Sequence, residues 1–385
     1  MTTIYLIRHA EAEGNLYRRI HGWYDALVTE NGLRQIQALA HRFHGERIDA
    51  AYSSDLYRTQ ATAQAVTAPR GLPLRLHPGL REVNMGAWED RTWGDVRRWD
   101  GERLLQFNHS DPAWQAPSGE SLGQVGRRCA AALEEIARSH PDQTVAVFSH
   151  GTAIRQALAH IRRAEPKDWP GLPHSDNTAV TCLAWDGAAF HVIYQGDNSH
   201  LDESLSTLAR QSWWRKGPNK GEDVNFWFRP LDPKGDRDWY LSLRQEIWTS
   251  AWGEELPFDG EALWASAAAR PEDCFLAMSG EQPAGVVQCS PTRYQAEGAA
   301  FLSFAAMAPG LRGKGLGAQL LGQAVSHSRR LGLTALRVRC SSRSREALAF
   351  FAKHGFSTQG EDQLGQQSVL LLQRSITQPP LPQIT

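Results

Sequence analysis

The strongest constraint on how this chain folds is the alternation, through residues 1–200, of short apolar runs with amphipathic stretches. Thr3–Ile7 (TIYLI) reads as a buried strand, and Asn31–Phe43 places Leu33, Ile36, Leu39, Ala40 and Phe43 at helical spacing. Ile48–Ser54 (IDAAYSS) and Thr144–Ser149 (TVAVFS) read as further strands, each followed by a helical pattern. Parallel strands need long crossovers, which helices supply, and those helices cover both faces of the sheet. The pattern predicts an α/β fold with a three-layer, mostly parallel sheet.

Sheets of this kind bind ligands beyond the carboxyl ends of their strands. Arg8 and His9 follow the first strand, Arg58 lies just past the strand that ends near Ser53, and His150 follows TVAVFS. Alone, each has a plainer role: an arginine is most often exposed, a histidine most often structural. Together they form a cluster suited to a tetrahedral oxyanion, because guanidinium forks match it and helix N-termini add N–H donors. A neutral imidazole, with a free pKa of about 6.5, is a competent nucleophile. The chemistry implied is phosphoryl transfer through a phosphohistidine, provided His9 and His150 face one another across a shared oxyanion.

With 385 residues the chain is expected to hold two or three domains. Lys plus Arg is 41 and Asp plus Glu is 42, a net charge of −1 that argues against nucleic acid as a partner. Apolar content of 41% with 22% charged residues reads as a soluble globular protein. No apolar run approaches the ~20 residues of a membrane helix, and MTTIYLIRHAEAEGN is not a secretory signal. The five cysteines, an odd number without a C-x-x-C pair, read as free thiols in a reducing cytoplasm.

Twelve of the fourteen His lie in residues 1–200, and no Trp follows Trp264, so composition shifts along the chain. The expected division is a first domain at 1–200, a linker at 201–224, a second, α+β domain at 225–373 and a flexible Pro-rich tail at 374–385. Trp213 and Trp214 in the linker are expected to pack on one of the domains. In the second domain Phe301–Pro309 (FLSFAAMAP) reads as a strand, and LRGKGLGAQLL as a Gly-rich turn opening a helix. Gly313, Gly315 and Gly317 allow close backbone approach to an anion, and Arg312 and Lys314 add positive charge. The spacing R-x-x-G-x-G fits neither a Walker loop nor G-x-G-x-x-G.

The runs LIRHAEAEGN, HGWYDALVTENGLRQIQALA, YSSDLYRTQATA, LREVNMGAWEDRTW and VFSHGTAIRQAL, in that order, resemble the histidine phosphatase (phosphoglycerate mutase-like) superfamily over roughly residues 1–195. The resemblance implies a catalytic set of His9, Glu82 and His150. His9 would be the phosphorylated nucleophile, and Glu82 the proton donor to the leaving group and later the base for water. Arg8, Arg58 and His150 would hold the phosphoryl oxygens, assisted by Asn15 and the backbone at Gly151. Ala10 and Asp90 stand where the family often has glycine, and Glu89, Asp90 and Asp95 compete with Glu82 for its role. The PSGESLGQVGRR run is similar to phosphatase-type members, which favours hydrolysis over mutase-type phosphotransfer. Trp88, Trp93, Trp99 and Trp114 either line a lid or pack in the core. No metal is needed, and His41 and His44 read as a solvated helix face.

The turn at 312–317 with ALRVRCSSRSREALAFFAKHGF resembles the GNAT (Gcn5-related) N-acetyltransferase superfamily, most strongly over residues 301–356. The resemblance implies acetyl-CoA as co-substrate, with its pyrophosphate on the turn at Arg312, Gly313, Lys314, Gly315 and Gly317. Its pantetheine arm would lie near Met307, and an amine would be the acceptor. Ser344 and Phe351 depart from the family pattern, and Phe351, a core aromatic, cannot protonate the thiolate. Glu254, Glu255 and Glu297 are the acids considered for the base, none of them singled out. The reading is a bifunctional cytoplasmic enzyme acting on a phosphorylated small molecule and on an amine, with a homodimer admitted and no membrane partner. The alternatives are a mutase, or one domain acting only as a sensor of phosphate or CoA.

Overall fold

The first strand, β1 (Thr2–Arg8), runs through the middle of a six-stranded sheet, and the rest of the front half is arranged around it. The computed structural model describes all residues except 166–167, 169–170, 212–223, 253–255, 366 and 385. After β1 come α1 (Glu13–Tyr17), α2 (Glu30–Arg42), β2 (Ala50–Ser53), α3 (Tyr57–Thr67), β3 (Leu74–Leu76), α4 (Trp93–Trp99) and α5 (Gly101–Asn108). The front half continues with α6 (Leu122–Ser139), β4 (Thr144–Ser149), α7 (Gly151–Ile161), β5 (Val180–Trp185) and β6 (Phe190–Asp197). The strand order is β3-β2-β4-β1-β5-β6; the first four strands are parallel, and β5 and β6 add two antiparallel strands.

Side chains alternate across such a sheet. Val145 and Val147 therefore pack with Leu122, Val125 and Leu133 of α6, whereas Ala146 and Phe148 pack with Ile36 and Leu39 of α2 and Val66 of α3. This is the three-layer arrangement. Trp88 and Trp114 belong to the core, Trp93 packs against it, and Trp99 is half exposed.

The second half contains β7 (Trp227–Pro230), α8 (Arg237–Trp252), α9 (Gly260–Ala268), β8 (Cys274–Ser279), β9 (Gln282–Tyr294) and β10 (Ala299–Met307). It ends with α10 (Gly317–Arg330), β11 (Ala335–Cys340), α11 (Arg345–Lys353), β12 (Ser357–Leu364) and β13 (Gln367–Ser375). Its seven strands run β12-β13-β11-β10-β9-β8-β7, antiparallel except for β10 against β11. That parallel pairing spans only Ala299–Leu302 with Ala335–Val338, while β9 stays paired with β10 as far as Met307. The sheet opens on one side of β10 beyond Leu302.

The expected domain limits need two corrections. Residues 201–211 are not a linker: Ser206 and Thr207 are buried, Gln35 donates to the Leu205 carbonyl at 2.8 Å, and Thr207 Oγ1 donates to Glu11 Oε2 at 3.0 Å. Their polar composition serves hydrogen bonds inside the front half rather than solvation. Trp213 and Trp214 lie outside the described residues. The chain from 374 onward is not a free tail either. Ser375 ends β13, Ile376 is 1% exposed, Gln378 Nε2 donates to Asp25 Oδ2 at 2.7 Å, and Ile384 packs against the α2–α3 side of the front core.

The two halves pack directly on one another. Gly322 of α10 lies against Tyr17 of α1, so close that a Cβ there would stand 2.5 Å from the Tyr17 Cβ. Arg19 donates to Gln323 and Ser326 of α10, each at 3.0 Å, and pairs with Asp90 at 2.8 Å. Glu13, 3% exposed, accepts from Arg329 of α10 at 2.8 Å and from Arg374 of β13 at 2.7 Å. Thr92, the N-cap of α4, donates to the Phe226 carbonyl at 2.7 Å just before β7 begins.

Candidate active site

Register alone brings the two histidines of the sequence reading together. Arg8 pairs with Ser149 across β1 and β4, so His9 and His150 each stand one residue beyond a matched pair. The next strand over, β2, aligns Ser53 with Phe148 and so brings Ser54 to the same edge. The ring centres of His9 and His150 are 5.2 Å apart, and His150 Nε2 lies 2.9 Å from Ser54 Oγ. His9 is 5% exposed and His150 fully buried.

His9 Nδ1 is 2.7 Å from the Ala10 carbonyl, which can only accept; Nδ1 therefore carries the proton and Nε2 presents its lone pair. Burial, followed by the charges of Arg58 and Arg8, holds this imidazole well below its ordinary 6.5, so it is neutral at physiological pH. Burial and Arg58 do the same to His150. Ser54 Oγ receives the Leu56 N–H and can give its own proton to His150 Nε2, the arrangement in which His150 Nδ1 is a donor. Asn177 Nδ2 donates to the His9 carbonyl at 2.9 Å and fixes the backbone behind the ring.

Both arginines are held by carbonyls. Arg8 Nη1 donates to the Ser175 carbonyl, while Arg58 donates to those of Tyr24 at 3.1 Å and Gly22 at 2.7 Å. Burial works against the charge of each guanidinium, and Glu82 works for it, with Asp176 beside Arg8 and Asp25 beside Arg58. Three buried nitrogens, Arg8 Nε, Arg58 Nε and His150 Nδ1, have no hydrogen-bond partner among the described residues. Each can donate. Buried donors without acceptors are costly, at about 1–3 kcal/mol each, so their gathering beside His9 marks where an anion fits.

Glu82 joins this cluster from the segment after β3. Its Oε2 accepts the Thr152 N–H at 3.1 Å and its Oε1 the Ala153 N–H at 2.9 Å, so it caps α7, whose own N-cap, His150, makes no side-chain capping bond to the helix. Gly151 opens that helix against Arg8, and a Cβ there would stand 3.1 Å from Arg8 Nε. Of the three competing acids, Asp90 and Asp95 are engaged elsewhere, whereas Glu89, raised by burial, lies near enough to Arg58 to favour its charge. Asp90 pairs with Arg19, Asp95 receives the Phe228 N–H at 3.0 Å, and Glu89 receives those of Trp23 and Met85. Asn15 is half-buried with its Oδ1 on the Ala12 N–H, which leaves Nδ2 as the donor it can offer a ligand.

The sequence reading missed His21, Ser54 and Asn177. His21 stacks on Tyr24 with ring centres 6.4 Å apart, and burial followed by Arg58 and Arg329 lowers its pKa well below 6.5. The signal was present in HGWYD, but only the fold places that segment around Arg58.

The second half presents a different anion-binding geometry. Gly313 and Gly315 have φ of +72° and +74°, and a Cβ on either would meet nothing within 4 Å. Leu316, at the N-cap of α10, provides no side-chain cap, so the first N–H groups of a fourteen-residue helix are available to a phosphate. Lys314 is exposed beside them. These residues fit a pyrophosphate. Arg312 fits that role less well than expected, because it bonds the Met307 carbonyl at 2.9 Å and Glu246 of α8 at 2.7 Å, bracing the turn instead. Gly317 rests on the Phe350 ring, and Phe351 is a buried aromatic packed edge-on against Phe356. Glu297 pairs with Arg337 at the opposite end of β10 from Met307, and Glu254 and Glu255 lie outside the described residues.

Known proteins match the two halves through different families. Residues 4–198 match the Histidine phosphatase superfamily (branch 1), and residues 238–356 match the Acetyltransferase (GNAT) family. The chain is 36% identical over 223 residues to the probable phosphoglycerate mutase GpmB of Yersinia pestis (strain Pestoides F), covering 54% of this chain and 100% of GpmB. GpmB of Yersinia pseudotuberculosis serotype O:1b (strain IP 31758) matches equally. The solved structure of YhfR from Bacillus stearothermophilus superposes with a TM-score of 0.51 at 31% identity, covering 52% of this chain and 100% of YhfR. The chain therefore belongs to the histidine phosphatase superfamily, branch 1, and carries in addition a domain of the GNAT acetyltransferase family.

Proposed function

We propose that the front half hydrolyses a small-molecule phosphate monoester through a phosphohistidine at His9. The observation that carries this reading is the group of unpartnered donors, Arg8 Nε, Arg58 Nε and His150 Nδ1, beside a neutral His9. In the first step His9 Nε2 forms a bond to phosphorus as the ester P–O bond breaks, and Glu82 gives a proton to the departing alkoxide. In the second step a water oxygen takes the phosphoryl group from His9, Glu82 accepts its proton, and phosphate leaves. Arg8, Arg58 and His150, with Asn15 and the Gly151 backbone, stabilise the charge on the equatorial oxygens. Phosphate release from an aryl phosphate tests this. Turnover in the parent protein that His9→Ala abolishes is expected, and turnover undiminished in His9→Ala would refute it. The name of the GpmB relatives supports a second reading, phosphotransfer between hydroxyls, which would yield a phosphorylated product without free phosphate.

The second half, in the same proposal, acetylates an amine. Acetyl-CoA would supply the activated acyl group, with its pyrophosphate at Gly313, Lys314, Gly315 and Gly317 and its arm along β10 toward Met307. The amine nitrogen bonds to the acetyl carbon as the C–S bond breaks; the amine gives up one proton and the sulfur gains one. Five buried cysteines without a disulfide support a reducing, cytoplasmic setting. No helix among the described residues is long and apolar enough to cross a membrane.

A further inference from the structure

Arg244, on the inner face of α8, is a buried cation with no carboxylate partner among the described residues. The residue is 7% exposed, and no Asp or Glu pairs with it among the described residues. Its Nη1 donates to Gln288 Oε1 at 2.8 Å and to the Tyr240 hydroxyl, which itself donates to Gln288 at 2.8 Å. The guanidinium carbon stands 4.5 Å from the centre of the Phe304 ring. These contacts lock one corner of the fork and one of its faces. Among the described residues, the buried Nε has no hydrogen-bond partner and Nη2 has no hydrogen bond.

Proteins avoid burying an uncompensated charge, because its desolvation is costly unless an ion or dipole answers it. The neighbouring groups that could ionise do not answer it. Burial raises the Cys274 thiol to about 12 and the Tyr240 hydroxyl to about 12, so both are neutral near pH 7. Asp236, at the start of α8, is held by Arg229 at 2.6 Å. Gln288, Tyr240 and Phe304 answer the Nη1 corner and one face of the fork, and the Nε–Nη2 edge is left open to an anion from outside the described residues.

Its position points to the source. Phe304 belongs to the stretch of β10 beyond Leu302, where the strand has parted from β11. It precedes Met307 by three residues, about 10 Å along a strand. On the acetyl-transfer reading of the second half, that open stretch is where the thioester meets its acceptor. The free Nε–Nη2 edge of a guanidinium offers two parallel N–H donors, the geometry that carboxylates and phosphates accept in bidentate fashion.

We propose that the acetyl acceptor carries an oxyanion, carboxylate or phosphate, besides its amine, and that the Nε–Nη2 edge of Arg244 binds it. The inference rests on the acetyl-transfer reading. Tyr240 and Gln288 act as positioning residues, since they fix Nη1 and so aim the free edge.

The test measures thiol release from acetyl-CoA with β-alanine, its amide, 2-aminoethyl phosphate and ethanolamine. The phosphate arm is run in a His9→Ala background so that the front half leaves that ester intact. The parent protein is expected to use at least one anionic amine with kcat/KM about tenfold or more above its neutral counterpart, and which one separates carboxylate from phosphate. Arg244→Gln is expected to reduce that ratio below about threefold through KM, with Arg244→Lys between the two. Because each ratio is taken within one preparation, partial loss of folded protein does not alter it. Equal use of anionic and neutral amines by the parent protein, or undiminished preference in Arg244→Gln, overturns the proposal. Failure of the parent protein to bind acetyl-CoA in calorimetry overturns the acetyl-transfer reading, and the proposal with it.

Discussion

Glu13 and Arg329 are 316 residues apart in the chain and 2.8 Å apart in space, Oε2 to Nη1. Glu13 stands five residues after the end of β1, and Arg329 lies near the end of α10, the helix that begins at the Gly-rich turn. Arg374 completes a triad with one carboxylate and two guanidiniums. Removing the shared anion leaves two cations facing one another, whereas removing one cation leaves a pair. Glu13→Gln is therefore expected to cost about 3 kcal/mol or more in urea unfolding at pH 7, and Arg329→Gln distinctly less. The reverse order would refute the triad.

Arg329 also reaches the Tyr24 hydroxyl at 3.3 Å, and the Tyr24 carbonyl holds Arg58 at 3.1 Å. Loosening Tyr24 should loosen the phosphate clamp. Arg329→Gln is expected to raise KM for an aryl phosphate about threefold or more while kcat changes less, and Arg329→Lys to recover part of the loss. A KM unchanged in Arg329→Gln would show that the back half leaves the clamp untouched.

Gly322 provides a test in which the usual sign reverses. Replacing a glycine inside a helix by alanine ordinarily stabilises by about 0.5–1 kcal/mol. Here the new methyl would stand 2.5 Å from the Tyr17 Cβ, an atom fixed to its backbone. Gly322→Ala is expected to destabilise by about 1–3 kcal/mol, as overpacking does, and to lower the melting temperature. An increase would mean that α1 and α10 do not meet as described.

Arg58 uses Nη1 and Nη2 on the carbonyls of Tyr24 and Gly22, and its Nε is unpartnered among the described residues, which on the phosphatase proposal leaves it for the ligand. A lysine brings one nitrogen to three tasks. Arg58→Lys is expected to lower kcat/KM for an aryl phosphate about a hundredfold despite the retained charge. Steady-state kinetics at fixed salt checks this, and a loss below about threefold would rule out the clamp.

The pH dependence of stability follows from five imidazoles: three around Arg58, and His200 and His354, which burial lowers to about 4. His9, His21 and His150 are lowered well below 6.5, first by burial and then by Arg58. In the unfolded chain they titrate near 6.5, so below that pH the unfolded state binds more protons. Their contribution is present in full above pH 6.5 and is lost as the pH falls, each by up to about 1.4 kcal/mol per pH unit. The melting temperature is expected to drop between pH 6.5 and 5, with net uptake of more than one proton on unfolding. A flat profile over that interval would contradict the burial of these rings.

Much of the site was legible because apolar periodicity locates strands, and strands locate their ends. Val145, Val147 and Phe148 mark β4 plainly, and His150 then has to stand at its end. The partnership of His9 with His150 needed one further fact, the register of Arg8 with Ser149, which no local pattern records. Ser206 and Thr207 were misread because a buried hydroxyl bonded to Asp176 or Glu11 has the same composition as a solvated turn. The Pro-rich end misled in the same way, because its partners, Asp25 and Tyr57, lie on the other half of the molecule. His21 was missed because its importance comes from Arg58, Arg19 and Arg329, which three separate elements bring to it.

The contact of Gln378 with Asp25 spans 353 residues and closes over the loop that holds Arg58. At about 5–20 residues per second, a ribosome takes roughly 20–70 s to pass from the first of these residues to the second. A newly made front half can thus build its sheet long before that loop receives its last brace. The loop that holds Arg58 receives this brace late in synthesis, and a chain broken off before Gln378 would leave it without that support.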